Sequence, residues 1–145
     1  MKKLLQCGFL DSNSLIPKTL HKTLTFLIAL VWLINGLVCK VLNFVPRHEQ
    51  IVARILGDEN SRLFTILIGI SEIIMTIWVI TKFKSKLNAI AQIIIVATMN
   101  LIEFILVPEL LLWRRFNIIF AFLFIGIVYY NEFVLNKKLN PQTTS

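Results

Sequence analysis

The chain has 145 residues, 57 % of them apolar and only 16 % charged, against roughly 25 % charged in an ordinary soluble domain. With a mean hydropathy of +0.77, and roughly 20 apolar residues needed per membrane-spanning helix, this excludes a soluble enzyme, a disordered chain and a disulfide scaffold. The +7 charge would suggest nucleic acid on a soluble protein, but the basic residues sit in short segments between apolar runs. The expected partner is therefore the lipid bilayer and its anionic head groups, and not a nucleic acid.

Taken in chain order, residues 1–22 imitate a secretory or lipoprotein signal through Lys2, Lys3 and Cys7. The apolar run is too short and is broken by Gln6, Asp11, Ser12 and Asn13. The segment reads as a retained cytoplasmic leader. The first span is predicted over 23–44. After it, Pro46 suits a first helical turn, Ile51, Ile55 and Leu56 share an apolar face, and Gly57 gives a stop. That pattern predicts a short amphipathic helix over the mouth of the bundle, carrying Arg47, His48 and Glu49.

The second span is predicted over 63–81. Lys82, Lys84 and Lys86 crowd the link to a third span over 87–107, which Pro108 ends. Arg114 and Arg115 delay the fourth span to 116–135, with Trp78, Trp113, Tyr129 and Tyr130 near interfaces. Residues 136–145 read as a disordered polar tail. The four runs contain just Lys40, Glu72, Glu103 and Glu132 as charges, a partition that the cost of a buried charge imposes. The fold class is all-α: a polytopic membrane protein, a four-transmembrane-helix bundle with one short amphipathic helix between spans one and two.

An even number of spans puts both termini on one side. That side carries nine lysines and the other six basic residues, which predicts cytoplasmic termini. Measured from the opposite face at 1.5 Å per residue, Lys40 and Glu103 lie at roughly 6 Å depth, Asn35 and Glu72 at roughly 14 Å, and Asn100 between them. Three spans thus deliver polar groups to the same half of the membrane. At α-helical spacing Trp32, Asn35, Gly36 and Cys39 share a stripe with Lys40 at its border. Gln92, Val96, Met99 and Glu103 share another, with Asn100 at its border, and Gly69, Met75 and Thr76 cluster around Glu72.

The expected pocket is built from Trp32, Asn35, Lys40, His48, Glu72, Gln92, Asn100 and Glu103. Equal depth pairs Lys40 with Glu103 as an ion pair. Glu72 is expected to be an uncharged carboxyl bonded to Asn35, with Lys40 roughly 8 Å nearer the surface. Glu132 is expected to snorkel to the interface. Structural alternatives stand beside each: a register-fixing ion pair, a structural carboxyl, and Asn100 as interhelical glue. His21 and His48 show no metal-ligand spacing, so no metal is expected. There is no C-x-x-C, phosphate loop or nucleophile elbow, so no catalytic residue can be named and no nucleotide site is seen.

The ordered set Trp32-x-x-Asn35-Gly36-x-x-x-Lys40, Pro46-Arg47-His48-Glu49-x-Ile51-Val52, Gly57, Gly69-x-x-Glu72, Gln92, Met99-Asn100-x-x-Glu103 and Pro108 resembles the DoxX-like family. The resemblance implies a four-helix membrane protein of bacterial type in the cytoplasmic (inner) membrane. The family takes its name from a subunit associated with thiosulfate:quinone oxidation, and its members differ widely in activity, so it speaks for fold more than for reaction. Three functions follow. The first is an accessory bundle, not an enzyme on its own, that binds a small amphipathic ligand or a partner membrane protein. The second is a quinone-linked redox subunit, with quinone as cofactor held by Trp32, Lys40 and Glu72. The third is a small proton-coupled transporter acting as a homo-oligomer.

Overall fold

Apolar runs bounded by lysines and prolines become long helices. In the computed structural model, which describes residues 2–110 and 116–141 with side chains from Leu15 onward, every element is helical. Helix α1, Lys2–Leu33, continues without a break as a π-helical segment, Ile34–Val41. Helix α2 is Arg47–Leu56, α3 Ser61–Thr81, α4 Ser85–Leu106 and α5 Phe116–Tyr129. The last runs on as a second π-helical segment, Tyr130–Asn136, and a final turn, Lys137–Leu139. Four stretches are long and apolar enough to cross a membrane: Leu15–Val41, Ser61–Thr81, Ser85–Leu106 and Phe116–Leu139.

The helix that carries the first span begins earlier than 23. His21 and Thr25 are both buried, and Asn131 ties them together, bonding His21 Nδ1 at 2.9 Å and donating to Thr25 Oγ1 at 3.0 Å. This anchorage to the last helix holds the preceding turns helical. The same end of the bundle extends the last helix beyond 135, because Asn136 donates to Glu132 Oε1 at 2.9 Å. Glu132 does not snorkel: it is 8 % exposed and also accepts from Ser85 Oγ at 2.7 Å. The expectations for Trp113, Arg114, Arg115 and the tail beyond 141 lie outside the described residues.

Helix α1 with its π-helical end packs along α3, and α4 along α5, whereas α3 and α4 touch little despite their short link. That link turns on Lys82 and Lys84, both left-handed at φ 54° and 45°, a conformation costing roughly 1–2 kcal/mol each for a residue with a Cβ. Gly36 and Gly69 set the α1–α3 crossing. A Cβ on Gly36 would lie 2.6 Å from the Gly69 oxygen and 2.8 Å from Glu72 Cβ; one on Gly69 would lie 2.7 Å from the Gly36 oxygen. Only glycine permits such backbone contact. The core cluster of Ile28, Ala29, Trp32, Met75, Val79, Ala89 and Val128 draws on all four spans. Outward-facing side chains such as Phe26, Ile77 and Phe122 are apolar and exposed, as a bundle solvated by lipid requires.

Candidate functional site

The π-helical segment builds the site. Its i→i+5 bonds, such as Leu42 N–H to the Leu37 carbonyl at 2.8 Å, give fewer degrees per residue than an α-helix. The α-helical stripe is therefore re-aimed: Trp32, Asn35, Cys39 and Lys40 line a cavity of about 860 Å³, while Gly36 turns to α3. Arg62 at the start of α3 closes the segment, donating to the Lys40 carbonyl at 2.8 Å and the Val41 carbonyl at 2.6 Å. These are helix-end acceptors that would otherwise be orphaned.

Lys40 and Glu72 meet in the wall. Lys40 Nζ lies 2.5 Å from Glu72 Oε1, and the two residues are 5 % and 8 % exposed. Asn35 Nδ2 donates to the same oxygen at 3.3 Å. This corrects two expectations. Lys40 pairs with Glu72 and not with Glu103, and Glu72 does have a cation beside it. The depth arithmetic failed because the glycine contact sets the register. Gly36 faces Glu72, and Lys40 Cβ begins opposite Gly69, so a long lysine stem covers the remaining turn.

Helix α2 covers the mouth through Arg47 and His48, both lining residues. Ile51 is buried against Val107, which is fully buried, but Leu56 is exposed and is replaced on the inner face by Val52. Glu49 departs from its expected place and bonds Asn43 Nδ2 at 3.1 Å, with Arg62 at 3.9 Å. Burial pushes the His48 imidazole down to about 4, with the Lys40 and Arg47 charges adding to the effect. It is therefore uncharged near neutral pH.

From α4, Val96, Met99, Asn100 and Glu103 line the cavity. Asn100 links α4 to α5 by accepting from Asn117 Nδ2 at 2.8 Å. Gln92 does not line it. One turn deeper, its Oε1 accepts from Trp32 Nε1 at 2.7 Å, so it supports the floor from behind. From α5 come Asn117, Phe120 and Phe124, and the Phe124 ring meets Trp32 edge-on at 6.1 Å and 74°. Sequence reading missed Arg62, Asn117 and these phenylalanines. Arg62 and Asn117 each sit at the start of a helix, where a polar residue reads as interfacial.

Two buried polar atoms at this cavity, Glu72 Oε2 and Arg47 Nε, have no hydrogen-bond partner among the described residues, and the Glu103 carboxylate lines the cavity with them. A family model described as the DoxX-like family matches residues 29–129, the span that holds all of these groups.

The chain belongs to the DoxX-like family.

No curated protein and no solved structure shows significant similarity to it. In this DoxX-like protein the matched residues begin at Ala29 and end at Tyr129, so they take in Trp32, the π-helical segment, α2 and every cavity-lining position.

Proposed function

We propose that this DoxX-like protein is an accessory membrane protein that holds one small amphipathic ligand in the intramembrane cavity. The observation that carries the reading is the unmet hydrogen-bonding capacity of the buried Glu72 Oε2 and Arg47 Nε, with the Glu103 carboxylate beside them in a largely apolar lining. A buried polar atom without a partner costs roughly 1–3 kcal/mol, and a ligand offering a hydroxyl or amine to the carboxylates and an acceptor to Arg47 removes that cost. The volume of about 860 Å³ falls within the roughly 300–1,000 Å³ of small-molecule sites. We infer a bacterial inner membrane from the resemblance to the DoxX-like family, and cytoplasmic termini from nine lysines on the terminal side against six basic residues opposite.

Glu103→Gln tests the reading, because Glu103 forms no ion pair or hydrogen bond among the described residues and its loss need not disturb the fold. The full chain is purified in mild maltoside detergent, and bound small molecules are extracted and weighed by mass spectrometry. Wild type retains one amphiphile per chain. The variant melts at the same temperature but retains at least roughly tenfold less, since a charge-assisted bond is worth roughly 1.5–3 kcal/mol. Equal retention by both proteins removes Glu103 and the ligand reading with it.

A second reading, a quinone head group, is favoured by the Trp32–Phe124 edge contact with Phe120 beside it, which makes an aromatic slot for a flat ring. Lys40 would donate to a quinone oxygen, and Glu72 would accept from a hydroxyl of the reduced ring. The quinone would supply the redox chemistry; these residues would position it and exclude water.

A further inference from the structure

A second cavity, of about 600 Å³, lies at the opposite end of the bundle, where α3 joins α4 and the last helix ends. It backs onto the first: Gln92 lines the second cavity while accepting the hydrogen bond of Trp32, which lines the first. Lys82 and Lys84 line it, with Lys86 and the carboxylate of Glu132 also among the described lining residues. That carboxylate is already engaged by Ser85 and Asn136. Below the rim, His21, Asn88 and Asn131 are each at least nine-tenths buried, and the floor is Ile28, Val79 and Val128.

Donor capacity is left over in these walls. Among the described residues Asn88 Nδ2 has only the Met75 thioether sulfur at 3.3 Å as acceptor, a weak one. The His21 ring spends its Nδ1–H on Asn131 Oδ1 at 2.9 Å. Cationic rim, a spare buried amide donor and apolar floor follow one another with depth, which is the order of groups in an anionic phospholipid.

We propose that this cavity binds the phosphate headgroup of an anionic membrane lipid. Lys82 and Lys84 hold the phosphate, Asn88 donates to an ester oxygen beneath it, and Ile28, Val79 and Val128 receive the first methylenes. Inorganic phosphate would satisfy the rim alone. The apolar floor selects the lipid.

The test is a native mass-spectrometry titration of the full chain in uncharged maltoside with dioleoylphosphatidylglycerol, dioleoylphosphatidylcholine or inorganic phosphate. One phosphatidylglycerol should bind at least roughly tenfold more tightly than phosphatidylcholine. The double change Lys82→Gln, Lys84→Gln should weaken it by roughly 25-fold, from about a fivefold effect per lysine. Ala89→Phe fills the cavity with the lysines in place and should abolish the preference. Should that variant fail to fold, quenching of Trp78, which lines this cavity, replaces it: brominated phosphatidylglycerol should quench more than brominated phosphatidylcholine. Glu103→Gln should change none of this. Equal binding of the two lipids, an undiminished preference in folded Ala89→Phe, equal quenching, or full displacement by millimolar inorganic phosphate overturns the assignment.

Discussion

Replacing Lys40 with Met should destabilise this protein far more than a lost surface ion pair would. The side chain is 5 % exposed, and its partner Glu72 is 8 % exposed. Met preserves most of the stem that lies against Gly69, so the change removes the charge and little packing. Glu72 then keeps only Asn35 Nδ2, at 3.3 Å, for a carboxylate with one oxygen already unpartnered. Stranding a buried charge costs about 3–5 kcal/mol, against about 0–1 kcal/mol for breaking an exposed pair. Glu72→Met strands Lys40 and should cost about the same. The double variant removes both charges, and apolar replacement of a buried pair is often close to neutral, so it should lie within about 1 kcal/mol of wild type. The cycle therefore predicts a coupling of at least about 5 kcal/mol. Reversible unfolding in mixed maltoside and dodecyl sulfate micelles, followed by circular dichroism, measures all four proteins. Single variants costing under about 1 kcal/mol, or a double variant costing the sum of the two, would refute the buried pair.

Gly36→Ala and Gly69→Ala should each destabilise by about 1–3 kcal/mol, because each new methyl falls under 3.0 Å from an opposing backbone oxygen; the same unfolding assay reads it, and a neutral result for both would show that the helices can move apart freely. His48 should make stability depend on pH. Its folded value of about 4 lies below its ordinary 6.5, so the unfolded chain binds the proton first. The stabilisation is complete above pH 6.5 and is lost as pH falls toward 4, by about 2 kcal/mol once partial exposure is discounted. Melting temperatures of wild type and His48→Gln across that range should diverge, and parallel curves would contradict the buried, charge-flanked imidazole.

The spans were legible because only length and charge partition are needed to see them: Lys40, Glu72, Glu103 and Glu132 stand out against uninterrupted apolar runs. That Trp32, Asn35, Lys40, His48, Glu72, Asn100 and Glu103 converge on one cavity was also legible, since alternating spans fix which polar groups share a depth. The pairing was not. It depends on the Gly36–Gly69 contact, which slides α1 against α3, and on the π-helical stretch, whose altered angular step leaves no mark in an apolar sequence. Gln92 was misplaced because a stripe drawn along α4 does not reveal where Trp32 divides it. The amide cluster of Asn88, Asn131 and Asn136 went unread for a related reason: polar residues near helix ends look wet until the neighbouring helix is placed.

The pairing of α1 with α3, and of α4 with α5, gives the bundle the mechanics of a book. Each cover is bound within itself, one by the glycine contact and the Lys40–Glu72 pair, the other by the Asn100–Asn117 bond. The two covers join through the hinge at 82–84, where Lys82 and Lys84 hold left-handed backbone. Across the open edge they are latched by few polar bonds, Trp32 to Gln92 midway and His21 and Thr25 to Asn131 at one end. Spreading the covers would widen the cavity without unmaking either ion-paired or glycine-packed seam, so a bulky guest could enter sideways from the lipid rather than through the mouth beneath α2.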